Sequence, residues 1–203
     1  DLGRKVIYIV NSWGAGSGLE GILAEAADAL RKHFKNIEVI SVYKPSPYMS
    51  DDPEFWEEMT NKADGFIYGA APSCSTTAWA ISWSAGLEKR GLPGAVIIYD
   101  TLIEDAKGTC LKVGAPVRWV AIPYPPDRIT ENQTTKAMEQ IIQALTDPLR
   151  EEETKTGTWK PPKPPSFAFE GTSDEIQDYF HRQGWTDGLP IIIPTEQRVT
   201  DML

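Results

Sequence analysis

The chain has 203 residues, 41% of them hydrophobic and 24% charged, with a formal charge of -9. That acidic balance excludes a nucleic-acid partner, which would need a surplus of Lys and Arg, and fits a solvated, solubilising surface. No run approaches the roughly 20 apolar residues of a membrane span, and two cysteines with two histidines, lacking Cys-x-x-Cys or His-x-x-x-His spacing, exclude a disulfide framework and a zinc site.

The first predicted strand is Lys5-Val6-Ile7-Tyr8-Ile9-Val10, which runs into the glycine-rich turn 11–18. From Leu19 to Phe34 the apolar residues Leu19, Ile22, Leu23, Ala26, Ala27 and Leu30 recur at spacings of three and four, the signature of one helical face. A second strand is expected over Ile37–Tyr43. After the prolines 45, 47 and 53 comes a short helix, with Asp51 or Asp52 placed to cap it. The apolar run Gly65–Ala70 predicts a third strand and Thr76–Arg90 a helix closed by Gly91. Ala95–Tyr99 and Val117–Ile122 predict strands four and five, separated by a helical stretch from Ile103 to Val113, and Thr134–Leu145 predicts a further helix.

Strands and helices thus alternate, and the strands are continuously apolar rather than alternating in polarity. Such strands are buried on both faces, which calls for a parallel sheet sandwiched by helices. Right-handed crossovers over about 145 residues favour a doubly wound, flavodoxin-like α/β domain of five parallel strands over a closed barrel. We assign it to residues 1–147. Residues 148–170 read as a charged, proline-rich linker around Lys160-Pro161-Pro162-Lys163-Pro164-Pro165. Residues 171–203 form a helical and extended segment around Thr186-Asp187-Gly188-Leu189-Pro190 that must dock, on the first domain, as a subunit contact or as the start of a further domain. Homo- or hetero-oligomerisation follows as an expectation.

In an open parallel sheet, ligands bind beyond the carboxyl ends of the strands where strand order reverses. For order 2-1-3-4-5 that crevice lies between the loops after strands one and three. The first of these loops supplies Asn11, Ser12, Trp13, Gly14 and Ser17. Its backbone N–H groups at a helix start suit an anion, although a plain flexible turn fits equally. The second supplies Ser73, Cys74, Ser75 and Thr76. A cysteine just before a helix has its thiolate stabilised by free N–H groups and the helix dipole, while the alternative is a small buried side chain filling space. Position at a strand's carboxyl end favours the reactive reading, with the hydroxyls of Ser73, Ser75 and Thr76 orienting a small anionic substrate. Asp100 and Thr101 end strand four as a candidate general base and polar wall, or as a turn-forming pair. Cys110, placed on the same edge, is a candidate redox partner if it comes within disulfide reach, and otherwise a packed helix residue. Trp79 and Trp83 share a helix face, which reads as core ahead of a ligand platform.

Ala71-Pro72-Ser73-Cys74, followed by Trp79 and Gly86-Leu87-Glu88-Lys89-Arg90-Gly91, resembles the UGSC family of (seleno)proteins, and the segments 186–190 and 194–199 resemble its longer, multidomain relatives. The resemblance implies thiol- or selenol-based redox chemistry. Here Ala71 stands where that family carries selenocysteine or a first cysteine, and Pro72 replaces its glycine. A two-thiol cycle within the motif is thereby removed, and a single-cysteine mechanism at Cys74 gains weight. The sequence therefore carries three functional readings: covalent catalysis by Cys74 of lyase, transferase or hydrolase type, thiol redox with Cys110, or a non-catalytic ligand-binding or assembly subunit.

Overall fold

In the computed structural model, residues 4–16, 18–115, 117–155, 157 and 167–203 are described. Ser17 and the proline run around 160–165 lie outside them. Five strands alternate with five helices: β1 (Lys5–Asn11), α1 (Glu20–His33), β2 (Ile37–Tyr43), α2 (Pro53–Lys62), β3 (Gly65–Gly69), α3 (Cys74–Lys89), β4 (Gly94–Tyr99), α4 (Ile103–Val113), β5 (Trp119–Ile122) and α5 (Glu131–Thr146). All pairings are parallel, in the order β2-β1-β3-β4-β5. This is the expected doubly wound, flavodoxin-like α/β sheet.

Side-chain alternation along the strands builds two cores. Ile7, Ile9, Ile67, Ile97 and Val120 pack under α1 and α5. Tyr8, Val10, Phe66, Tyr68, Val96 and Ile98 pack under α2, α3 and α4. The central strands β3 and β4 are buried throughout, whereas the edge strands β2 and β5 are partly exposed, because an edge strand has a neighbour on one side only. Gly91 ends α3 as anticipated, at φ +88 with its N–H donating to Glu88 O.

Several local expectations are corrected. Asp52 occupies the N-cap of α2 without capping it, since its carboxylate pairs with Lys44. The Asp51 carboxylate accepts from Trp56 Nε1 at 2.8 Å. Helix α5 begins three residues early, through a reciprocal cap between Thr130 and Gln133. Within the expected linker, residues 148–155 are tied to the sheet through Arg118. Arg118 Nη1 donates to Ala144 O and Asp147 O at 2.8 Å, and its remaining N–H groups reach Pro148 O and Glu153. The first compact unit accordingly extends to residue 160.

The second unit spans 161–203. It contains α6 (Ser173–Arg182), capped by Thr172 rather than Ser173, and α7 (Glu196–Met202), capped by Thr195. Phe169 stacks on Tyr179 at 4.6 Å, and Trp185 meets Phe180 edge-on at 5.1 Å. Gln177 ties the Leu189–Ile191 backbone to α6 through both of its side-chain ends.

One prediction follows from the strand packing. A Cβ at Gly94 would meet the buried Phe66 ring at 2.3–2.5 Å. Gly94→Ala is expected to destabilise the domain by about 1–3 kcal/mol through overpacking. Equilibrium urea unfolding measures it, and an unchanged midpoint would show that the Phe66 ring yields freely.

Candidate functional site

The order β2-β1-β3 brings three loops side by side at the carboxyl edge, those that follow β1, β2 and β3. The β1 loop turns on an Asx bond. Asn11 Oδ1 accepts from Trp13 N–H at 3.1 Å and Asn11 Nδ2 donates to Gly14 O at 3.4 Å. Gly14, Gly16 and Gly18 all take positive φ, so the path needs residues without a Cβ. Ser12 N–H reaches across to Gly69 O at 3.3 Å, which pins this loop beside the end of β3. The Gly16 N–H is already occupied by the Glu20 carboxylate at 2.5 Å. An amide expected to face an external anion therefore faces the chain's own negative charge.

The β3 loop climbs from the sheet to the start of α3. Ala71 is buried in the core cluster with Leu19, Leu23 and Tyr99, while Cys74, at the first position of α3, is exposed. The two ends of the motif thus sit in different surroundings. The position at which the resembled family places selenocysteine or cysteine is apolar floor, and Cys74 stands at the rim. Thr76, expected to touch substrate, is buried, and its hydroxyl donates to Ala71 O at 2.5 Å and Ser73 O at 2.9 Å. It shapes the loop. Ser73 and Ser75, on either side of Cys74, join through their hydroxyls at 3.0 Å.

The third wall was not anticipated from sequence. Tyr48, in the β2 loop, contacts Ser75 Oγ through its hydroxyl at 3.3 Å and stacks on Trp13 with 5.2 Å between ring centroids. Trp83 Nε1 donates to Tyr48 O at 2.8 Å. Trp83 also stacks between Trp79 and Trp56, and Trp79 is 39% exposed, so the tryptophan pair borders the β2 loop instead of lying wholly in the core. Beneath them lies Lys44, its side chain 0% exposed. Its ammonium group donates to Pro47 O at 3.1 Å, Ser50 O at 2.7 Å and the Asp52 carboxylate, and it lies over the Trp56 ring at 5.6 Å. Burial pushes the Asp52 carboxyl up, but hydrogen bonds from Lys44 and Ser46, with the Lys44 charge, outweigh it and hold the group below its usual range.

The other candidates separate from this cluster. Asp100 is exposed and accepts from Tyr124 N–H at 3.3 Å, which turns it toward the β5 loop, and Thr101 is exposed in the 3₁₀ turn beside it. Cys110, expected on the carboxyl edge, sits in the last turns of α4 with Sγ 3.9 Å from Val117 O, just before β5 begins. A helix between parallel strands runs back across the sheet, so Cys110 lies toward the amino edge, away from the helix start that carries Cys74. Burial raises its thiol pKa. A groove of about 1240 Å³ also lies away from the three loops, lined by Cys110, Arg118, Trp119, Ala144 and Glu153. It belongs to the Arg118 cluster, and the carboxyl edge remains the better site because the loops of three strands converge there. Among the described residues no group of three His, Cys, Asp or Glu side chains is arranged for a metal ion, and no helix is long and apolar enough to cross a membrane.

Comparison with known proteins gives a family and a set of distant structural neighbours. A family model, described as the UGSC family, matches residues 11–151. No curated protein matches the chain. Among solved structures, a flavodoxin-like domain from Synechococcus sp. shares 14% identity at a TM-score of 0.40, covering 68% of this chain and 94% of its own. A diflavin flavoprotein A3 from Nostoc sp. shares 14% identity at 0.37, covering 70% and 96%. A short-chain flavodoxin associated with a bacterial microcompartment shares 15% at 0.39, covering 70% and 99%.

Proposed function

The chain belongs to the UGSC family, and from that premise we propose that it is an enzyme or enzyme subunit that uses the Cys74 thiolate as a nucleophile toward a small-molecule substrate. The observation that carries this reading is the exposed position of Cys74 at the first turn of a 16-residue helix, at the strand-order reversal of a parallel sheet. Helix N–H groups and dipole favour negative charge there. Ser73, Ser75 and Tyr48 supply hydroxyls for a substrate's polar atoms. In the reaction Cys74 Sγ bonds to an electrophilic carbon as that carbon's π bond opens, and the displaced electron pair takes up a proton from solvent. The burial of Ala71 and the placement of Cys110 toward the amino edge favour single-thiol chemistry over a dithiol redox cycle. A reducing, cytoplasmic setting suits a thiol held ready in this way.

Labelling with less than one equivalent of iodoacetamide at pH 7, followed by peptide mass mapping, tests the proposal. Cys74 is expected to take at least about ten times more label than Cys110, which is half-buried and held in its thiol form. Equal or lower labelling of Cys74 would remove the nucleophile.

A second reading is favoured by the second unit, where Trp185, Leu189 and Ile192 are 56%, 66% and 82% exposed. Apolar surface of that kind suits assembly with another chain or domain. Sedimentation that shows a monomer at all concentrations would count against it.

A further inference from the structure

The loop architecture around Cys74 bears on what kind of molecule the thiol meets. We infer that the Trp13–Tyr48 pair is a stacking platform for a planar, conjugated or aromatic group of the Cys74 substrate. This deepens the reading of Cys74 as nucleophile and rests on it.

Trp13 is 53% exposed, yet its ring is fixed on Tyr48 at 5.2 Å with 25° between planes. Tyr48 is in turn held at both ends, through its hydroxyl to Ser75 Oγ and through its carbonyl to Trp83 Nε1. The loop that carries it is drawn in by Lys44, which binds the carbonyls of Pro47 and Ser50. A large aromatic surface offered to solvent on so rigid a mount is preorganised for a flat partner, because little ordering remains to be done on binding. Beside it Ser12 is only 4% exposed, and its hydroxyl has no hydrogen-bond partner among the described residues.

Among its bonded contacts the platform wall offers an anion no free side-chain cation. The cation bonded into this wall is Lys44, whose side chain is wholly buried and turned to loop carbonyls and Asp52. The Gly16 amide holds Glu20. A neutral flat group meets two rings and three hydroxyls, and a carboxylate or phosphate meets no free positive charge among these contacts.

Two maleimides serve as probes, N-phenylmaleimide and N-ethylmaleimide. In each, Cys74 Sγ adds across the ring double bond, the C–S bond replaces the π bond, and a proton goes to the neighbouring carbon with nothing leaving. Their rate ratio at Cys74, divided by the ratio for free glutathione, is expected to favour phenyl by about 2- to 10-fold. Trp13→Leu should return it to the glutathione value and Trp13→Phe should keep most of it. A prompt reaction with no phenyl preference overturns the platform and leaves the nucleophile intact. If Cys74 reacts with neither reagent, the nucleophile fails, and the platform is then read with N-phenylsuccinimide, which cannot react. Saturable quenching of tryptophan fluorescence that Trp13→Leu abolishes supports the platform, and its absence overturns it.

Discussion

Lys44→Met is expected to cost about 3–5 kcal/mol of folding stability, a large share of what a domain of this size possesses. The ammonium group is fully buried and saturated by loop carbonyls and Asp52. Removing it leaves the Asp52 carboxylate, 10% exposed, without its counter-charge, together with carbonyls that lose their donor. Guanidinium unfolding measures the loss. The double variant Lys44→Met/Asp52→Leu should recover part of it, because a buried pair replaced by apolar groups is far less damaging than one partner stranded. A loss below about 1 kcal/mol in the single variant would place Lys44 among surface-like pairs. The sign of the pH dependence follows from Asp52. Its folded pKa is depressed, so its contribution is present above the ordinary carboxylate range and fades as pH falls through the folded value. Because Lys44 shapes the loop that carries Tyr48, Lys44→Met should also abolish the phenyl preference at Cys74.

Arg118→Met is expected to release residues 148–155 from the sheet edge at a similar cost, about 3–5 kcal/mol for a stranded, mostly buried partner. The guanidinium binds three carbonyls and both oxygens of Glu153, the two side chains being 12% and 14% exposed. Glu153 also accepts from Arg150. That hydrogen bond, ahead of those from Arg118 and against a modest burial effect, lowers its pKa to about 2. In the unfolded chain a glutamate titrates near roughly 4.3. The folded value is the lower one, so the stabilisation is complete above that range and is lost as pH falls toward 2. Hydrogen exchange at 150–155 should show protection that declines across this window in the wild type and is absent at all pH values in Arg118→Met. Protection unaffected by the substitution would mean that backbone contacts such as Gly157 N–H to Gly114 O hold the segment alone.

Legibility in the sequence tracked the range of the interactions. The strands Lys5–Val10, Gly65–Ala70 and Ala95–Tyr99 announce themselves because burial on both faces writes an unbroken apolar run. The helices follow from period and caps, and the position of Cys74 at the carboxyl edge follows from topology alone. What escaped was set by partners far apart in the chain. Nothing local to Arg118 points to Glu153, or local to Lys44 to the carbonyls of Pro47 and Ser50. Tyr48 passed unnoticed because a proline-flanked tyrosine carries no motif, although its place after the strand next to β1 was a usable signal. Cys110 was misplaced because position after β4 was read as the carboxyl edge, whereas eight residues of helix carry the chain about 10 Å back along the sheet. Thr76 and Trp79 exchanged their expected roles, the threonine buried to tie the loop and the tryptophan partly open beside it. For both, position along the helix was legible, but which flank met the β2 loop was not.

The central claim is that the fold, and not the mere presence of a thiol, makes Cys74 reactive. The most direct measurement is the rate constant of Cys74 with iodoacetamide at pH 7 in the native protein and in the same protein unfolded in urea, with Cys110 replaced by Ser in both. The native protein is predicted to react at least about tenfold faster, because the helix start and the loops around it present Sγ to the reagent in one fixed setting. A native rate equal to or below the unfolded one would contradict the claim and leave Cys74 an ordinary exposed cysteine.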